Sequence, residues 1–298
     1  MEPRHLKPMF DLGGLGLLPF SPRDEASIKE SIQHSDVVIN MIGKHYETKH
    51  IVPTRREDGK LSRVNYDFNE VHVDIARNIA RLTKEAGIKS FIHVSALAAN
   101  HDSASEWSRS KARGEDAVRE EFPDAIIVKP ATIFGPEDRF LNSIADTNEK
   151  FPFFPLVNNG ETLTQPVYAI DVGQALFNIV QNHHQFKGDT FQLCGPAEYS
   201  YREIIEFVQD VSTVSKPMVA MPDSAAQFTG RFIQNLIDPI LTEDAIAQMK
   251  EDCIAKEGTN MKTLADLGIE PSSMDKYAFD FLHRFRPGGH FTMVQGYH

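Results

Sequence analysis

The sequence has few cysteines, no long apolar run and no excess of positive charge. Its two cysteines, Cys194 and Cys253, lie far apart in the chain and match neither a zinc site nor a disulfide framework. No apolar stretch approaches the roughly 18 residues that span a membrane, and the first residues lack the apolar core of a signal peptide. The net charge of −11 argues against a nucleic-acid partner, because a phosphate backbone requires clustered Lys and Arg.

Short apolar segments alternate with helical patterns along most of the chain. Ser90–Val94 and residues 125–129 are typical of strands, and a helix that contains Trp107 and Lys111 joins them. Two strands joined in this way form a parallel crossover unit. Residues 36–43 form a continuous apolar run of the kind that is buried on both faces of a parallel sheet. The sequence predicts an α/β fold: a Rossmann-like doubly wound parallel sheet with a smaller, mostly helical C-terminal part.

The remaining predicted elements follow from the same periodicities and from turn residues. Residues 15–20 are predicted to form the first strand, and residues 44–63 a polar surface loop or insertion. Ser200 and Glu203 have the spacing of a capping box. The predicted helices span residues 21–33, 67–87, 137–150, 171–182, 224–256 with an interruption at Pro239, and 275–284.

A glycine-rich turn between a strand and a helix is missing from its expected place. The only candidate, residues 13–16 (GGLG), precedes the predicted first strand, whereas a pyrophosphate-binding turn follows a strand and opens a helix. The predicted first strand would be the third of a standard sheet. We therefore expect a β-α-β unit of roughly 30 residues or more to be missing before Met1, so that the sheet is N-terminally truncated.

Several strings of residues carry a specific resemblance. Residues 37–43 (VVINMIG), 91–95 (FIHVS) and 129–135 (KPATIFG), with the helix lysine Lys111, resemble the short-chain dehydrogenase/reductase superfamily. One atypical branch, the nucleotide-binding accessory subunits of mitochondrial complex I (NADH:ubiquinone oxidoreductase), is similar over nearly the whole chain. The strings that resemble this branch are YETK (46–49), KEAGI (84–88), GPEDRFLNS (135–143), QPVY (165–168) and LADLGI (264–269).

The resemblance implies a domain organisation, a cofactor and a location. Residues 1–195 would form a truncated NAD(P)-binding domain with an insertion at about 49–65, and residues 196–298 a C-terminal helical region. A tightly held NADPH without demonstrated turnover is implied, with other complex I subunits as partners. The implied place is peripheral to the membrane, on the matrix side of the mitochondrial inner membrane. Because the pyrophosphate turn is absent, we expect this chain to bind NADPH weakly or not at all.

The resemblance also assigns roles to particular residues. In catalytic members a Tyr four residues before the helix lysine relays a proton, but here that position is Trp107, whose indole N–H is only a donor. Lys111 would hold the nicotinamide ribose; its plain alternative is a solvated helix lysine. We predict no catalytic and no metal-binding residue. The implied cofactor-binding residues are Asn40, Ile42, Gly43, Ser95, Ala96, Lys111, Pro130, Ala131, Thr132 and Ile133, and strand ends and turns would explain most of these equally simply.

Three functions remain open at this point. The first is a non-catalytic accessory subunit that binds NADPH as a structural cofactor and supports the assembly and stability of the matrix arm. The second is an active NADPH-dependent atypical reductase or epimerase, which would need another proton donor near Ser95 and Lys111. The third is an interaction module without a cofactor, which the missing glycine turn favours. His93 lies within the predicted strand Ser90–Val94, where side chains alternate between the two faces, and we expect it to be a packing residue.

Overall fold

A computed structural model describes residues 6, 9–11, 14–47, 53–55, 61–63, 66–222, 242–256 and 258–287. The strands are β1 (Val37–Asn40), β2 (Pro53–Arg55), β3 (Leu61–Arg63), β4 (Ser90–Val94), β5 (Ile126–Pro130), β6 (Ile133–Phe134), β7 (Phe154–Leu156), β8 (Leu163–Thr164), β9 (Val167–Tyr168), β10 (Thr190–Leu193), β11 (Tyr199–Ser200) and β12 (Met218–Ala220). The helices are α1 (Glu25–Ile32), α2 (Ile75–Glu85), α3 (Glu106–Glu121), α4 (Leu141–Lys150), α5 (Ala169–Gln181), α6 (Tyr201–Ser212), α7 (Glu243–Gln248) and α8 (Met274–Leu282). A π-helical turn, Glu70–Asp74, leads into α2.

The central sheet has four parallel strands in the order β1-β4-β5-β10. Its register pairs Val38 with Phe91, and Ile92 with Ile126. Phe91 and Ile92 point to opposite faces because successive side chains alternate in a strand. Phe91 joins a core cluster with side chains of α1, α2 and α3, whereas Ile92 joins a cluster with side chains of α5. Helices therefore cover both faces, and the predicted α/β Rossmann-like class is confirmed.

A third core cluster forms the interior of the smaller part of the molecule. It combines Leu141 and Ile144 of α4 with Ile205 of α6 and Phe281 of α8, together with the strand residue Phe154. The short strand pairs β7–β12, β8–β11 and β6–β9 lie beside the central sheet. Side chains from both sides of residue 195 share this core. The domain division that we place at that residue stays a prediction.

Two predicted strands differ from the structure. Residues 15–20 form no strand: Leu17, Leu18 and Phe20 are exposed, and in the described chain this segment has no neighbouring strand to pair with. An isolated extended segment has no ladder to stabilise it. The predicted strand at 36–43 is confirmed as the shorter β1, but it is not buried on both faces. It lies at the edge of the described sheet, and Ile39 is 38% exposed.

Two other segments were predicted only in part. The predicted loop at 44–63 contains the antiparallel pair β2–β3, while residues 48–52 and 56–60 lie outside the described residues. Of the predicted helix at 224–256, residues 224–241 also lie outside them. α7 ends at Gln248, and Cys253 forms an isolated parallel bridge with Thr164, so the helix prediction is wrong for 249–256. The capping box of Ser200 and Glu203 is confirmed at the start of α6.

Candidate functional site

The carboxyl ends of β1, β4 and β5 meet at one edge of the sheet, beside α3. The backbone N–H groups of Ser95 and Leu97 donate to the carbonyls of Val128 and Pro130, so the chain after β4 runs along the end of β5. Ala131 likewise donates to Leu193. The structure thus gathers three of the predicted segments, Asn40 to Gly43, Ser95 to Ala96 and Pro130 to Ile133, at the edge where ligands of such sheets bind.

Lys111 of α3 is buried at this edge. Only 7% of the residue is exposed, and a Cβ added at Gly43 would lie 3.3 Å from its Nζ. Burial lowers the pKa of Lys111 from 10.5 to about 8, although Glu115 acts to raise it. Within the described residues its ammonium has no hydrogen-bond acceptor and no ion-pair partner. The burial contradicts the alternative of a solvated helix lysine, because α3 packs this side chain against the sheet edge, whereas the predicted contact with a ribose stays a prediction.

Trp107 is held by a closed chain of hydrogen bonds. Its indole Nε1 donates to the Lys44 carbonyl (2.8 Å), and the Lys44 backbone N–H donates to His72 Nε2 (3.1 Å). His72 Nδ1 lies 2.8 Å from Ser110 Oγ, which donates to the Trp107 carbonyl at 2.8 Å. Since Nε2 accepts, Nδ1 carries the proton and the imidazole is neutral. Burial accordingly lowers the pKa of His72 to about 3.

His72 is not among the site residues predicted from the sequence. The helical spacing of Phe68, Val71 and Ile75 was visible, and His72 continues the same buried helical segment, with its ring stacked on Phe68 at 5.6 Å. A buried histidine on a helix has no motif of its own, so its role depends on the packing partner. Here that partner is the α3 turn from Trp107 to Ser110.

Asn40 and His93 form a second buried pair below the site. Asn40 Nδ2 lies 3.2 Å from His93 Nδ1, and Asn40 Oδ1 accepts from the Ile42 backbone N–H at 3.0 Å. Burial, together with the Lys111 charge, lowers the pKa of His93 to about 3. Both ends of the Asn40 amide are therefore used to fix the turn between β1 and Gly43.

The hydroxyl of Ser95, one of the implied cofactor-binding residues, is already hydrogen-bonded within the chain. Ser95 Oγ donates to Glu115, and the Glu115 carboxylate forms an ion pair of 3.0 Å with Lys129. At the other side of the edge, Thr132 Oγ1 lies 3.0 Å from Thr164 Oγ1. Pro130 and Ala131 are buried, whereas Ile133 is 38% exposed. The predicted cofactor role of these residues stays a prediction.

The C-terminal part caps the helix that carries the site. Asp244 of α7 accepts from Ser105 Oγ (2.9 Å) and from the backbone N–H of Glu106 (2.6 Å) at the start of α3. Glu251 accepts from Ser103 Oγ (2.6 Å) and the Ala104 N–H (2.7 Å). These carboxylates satisfy donors that a helix N-terminus leaves open. No periodicity in the sequence indicates such a contact across more than a hundred residues.

Similarity to known proteins decides the family. A subunit from Rattus norvegicus, "NADH dehydrogenase [ubiquinone] 1 alpha subcomplex subunit 9, mitochondrial", is 37% identical over 285 residues, which is 95% of this chain and 70% of the relative. This chain belongs to the alpha subcomplex subunit 9 family. The "NADH-ubiquinone oxidoreductase 40 kDa subunit, mitochondrial" of Neurospora crassa is 34% identical over 292 residues, 97% of this chain and 72% of the relative. The resemblance found from the sequence strings is confirmed.

Solved structures share the fold of this subunit 9 family member. The structure of RMD from Pseudomonas aeruginosa complexed with NADPH has a TM-score of 0.60 to this chain, with 14% identity, and covers 95% of this chain and 93% of its own. This likeness confirms the fold alone. No family model matches the chain. In the described part of the chain, no helix combines the length and apolar character that crossing a membrane would require.

Proposed function

We propose that this chain is a mitochondrial accessory subunit of complex I that holds NADPH as a structural cofactor and supports the matrix arm of the complex. Family membership supports the accessory role, with other complex I subunits as partners, because the relatives are named as mitochondrial subunits of NADH:ubiquinone oxidoreductase. The matrix side of the inner membrane is proposed together with this role. The RMD structure was solved with NADPH, which favours this cofactor for a chain of the same fold.

Lys111 carries the cofactor part of the proposal. Lys111 is 7% exposed, and its Nζ lies 5.8 Å from the centroid of the Trp107 ring. A largely buried ammonium is unfavourable unless a ligand or water accepts its hydrogen bonds, and no acceptor for it is found among the described residues. A ribose hydroxyl placed beside Gly43 would supply that acceptor. Gly43 leaves the space beside Lys111 Nζ open, because it has no side chain. A Cβ at this position would lie 3.3 Å from Nζ and would fill part of that space.

The residues present fit the nicotinamide half of the cofactor. Lys111 would hold the ribose, and the segments from Asn40 to Gly43 and from Pro130 to Ile133 would bound the two sides. NADPH when bound would supply a hydride. For the pyrophosphate half, the described chain contains no glycine-rich turn between a strand and a helix: the Gly14 N–H only closes a turn onto Asp11.

The chain's own groups favour holding a cofactor over proton transfer. The Trp107 indole does not titrate usefully, and its N–H donates to the Lys44 carbonyl. The Ser95 hydroxyl donates to Glu115. Neither group is set to relay a proton to a carbonyl oxygen, which argues against the reductase or epimerase alternative.

The test is a native mass spectrum of the protein released from intact complex I. We expect one NADPH in the wild type and none in Lys111→Met, whereas the control Lys29→Met, at an exposed lysine paired with Glu85, should retain it. An empty wild-type protein would refute cofactor binding and favour the interaction module. Reduction of carbonyl compounds by added NADPH would favour the enzyme. A chain that migrates apart from complex I on a native gel would contradict the accessory role.

A further inference from the structure

Three cationic side chains line a cavity of about 280 Å³ near residue 287. Lys216 follows α6, and Arg284 and Arg286 follow α8; the end of α4 closes the cavity with Asn148 and Glu149. None of the residues that line it belongs to the Lys111 site. The cavity is therefore a separate feature of the C-terminal part.

The three cations contact only neutral oxygens in the described chain. Lys216 Nζ donates to the carbonyls of Glu149 (3.0 Å) and Phe151 (2.5 Å). Arg284 donates to Asn142 Oδ1 (2.7 Å) and Arg286 Nε to the Val211 carbonyl (2.7 Å). No described carboxylate lies within ion-pair distance of any of them. Because a guanidinium has five N–H donors, the described residues leave most of the donors on both arginines unused.

Aromatic rings hold the two guanidinium groups in place. The Arg284 guanidinium lies 5.0 Å from the Phe285 ring centroid, and that of Arg286 lies 5.1 Å from the Phe279 centroid. Such contacts are favourable and restrict the side chains. A ligand would then find the donors already oriented, which reduces the entropy lost on binding.

We propose that this cavity binds a phosphate group, borne either by a small phosphorylated compound or by a phospholipid headgroup. Two guanidinium forks match phosphate oxygens, and Lys216 adds a compact charge. A phosphate monoester carries up to about two negative charges, which suits three cations and the one acidic lining residue, Glu149, better than a single carboxylate would. The nearby rings of Phe151 and Phe279 are 47% and 46% exposed, so a ligand with an apolar portion would meet apolar surface beside the cavity.

The first measurement is calorimetric titration of the full chain with inorganic phosphate, against chloride at equal ionic strength. We expect saturable binding, weakened at least about tenfold in the double variant Arg284→Gln/Arg286→Gln, because each charge-assisted hydrogen bond is strong. The matched control is Arg77→Gln/Arg202→Gln. It removes the same charge from an exposed ion pair with Glu120 and a bond to the Asn159 carbonyl, and it should bind phosphate as the wild type does.

The second measurement needs no variant. Phenylglyoxal modifies accessible arginines, and peptide mapping reports which ones; phosphate should protect Arg284 and Arg286 but not Arg202. Two further probes distinguish the two sources of the phosphate group. Glycerol 3-phosphate represents a small phosphorylated compound, and phosphatidylcholine vesicles with or without phosphatidic acid represent a phospholipid headgroup. Protection by glycerol phosphate alone indicates a soluble ligand, and sedimentation only with phosphatidic acid vesicles indicates a headgroup. Any one of three results would overturn the proposal. The wild type could bind phosphate no better than chloride, phosphate could leave Arg284 and Arg286 unprotected from phenylglyoxal, or the double variant could bind phosphate as tightly as the wild type.

Discussion

Replacing Lys111 with Met should stabilise the ligand-free protein. The pKa of Lys111 falls from 10.5 to about 8 on folding, and this difference corresponds to roughly 3 kcal/mol at neutral pH. Since the folded pKa lies below the unfolded one, the unfolded state binds more protons between these values, and stability rises with pH across that window. Below about pH 8 the full cost is present. Methionine keeps the length of the side chain and a good helix propensity without the charge.

The assay is urea unfolding followed by Trp107 fluorescence, since Trp107 is the only tryptophan in the sequence. At pH 7 we expect Lys111→Met to raise the free energy of unfolding by up to about 3 kcal/mol, and at pH 10 by only about 1 kcal/mol. Lys29→Met should change neither value. A variant no more stable than the wild type at pH 7, or a gain at pH 10 as large as that at pH 7, would show that Lys111 is not a desolvated ammonium.

Three further results are expected from the same contacts. Acidification from pH 7.5 to 5 should destabilise the protein by about 2 kcal/mol per buried imidazole. The pKa of His93 is lowered from 6.5 to about 3 on folding, so the unfolded chain binds the proton first. His93→Gln should therefore flatten the pH dependence of the unfolding free energy in urea melts, and an unchanged slope would contradict the burial of a neutral His93. Gly43→Ala should weaken NADPH binding in a titration but alter the free energy of unfolding by less than about 1 kcal/mol, since its Cβ would crowd Lys111 Nζ, the end of a flexible side chain. Asp244→Ala should cost about 1–2 kcal/mol in unfolding free energy, because it leaves the backbone N–H groups of Glu106 and Trp107 without their acceptor at the start of α3, whereas the exposed neighbour Glu243→Ala should not; equal effects would contradict this role of Asp244.

The sheet and its helices could be predicted because their signals are local. A short apolar run marks β5, where residues 126–128 (IIV) are buried, and α2 and α6 have clear apolar faces. The predictions fail where the structure of a segment depends on its pairing with a distant strand. Residues 15–20 have the composition of a strand, but a strand forms only with a partner, and none pairs with them in the described structure. Residues 249–256 were predicted to be helical, but α7 ends at Gln248 and Cys253 instead forms a parallel bridge with Thr164.

The candidate site shows the same division. The sequence could identify Trp107 and Lys111 because they share one face of α3. It could not show that Ser95 donates to Glu115, or that Asp244 caps α3. These contacts depend on where distant segments meet. His72 likewise has no sequence signal, although it fixes the Lys44 backbone to which Trp107 is bonded.

The energetics of α3 connect the cofactor to stability without requiring a reaction. One helix has its N-terminus capped by Asp244, presents Trp107 to the Lys44 carbonyl and buries the Lys111 ammonium at a cost of roughly 3 kcal/mol. A ligand present at one hundred times its dissociation constant stabilises the folded state by about 2.7 kcal/mol, which is of the same size. A bound NADPH would therefore offset the cost of Lys111, even though neither Trp107 nor Ser95 is arranged to transfer a proton. On this reasoning, NADPH should protect α3 amides from hydrogen exchange in the wild type and leave their exchange unchanged in Lys111→Met.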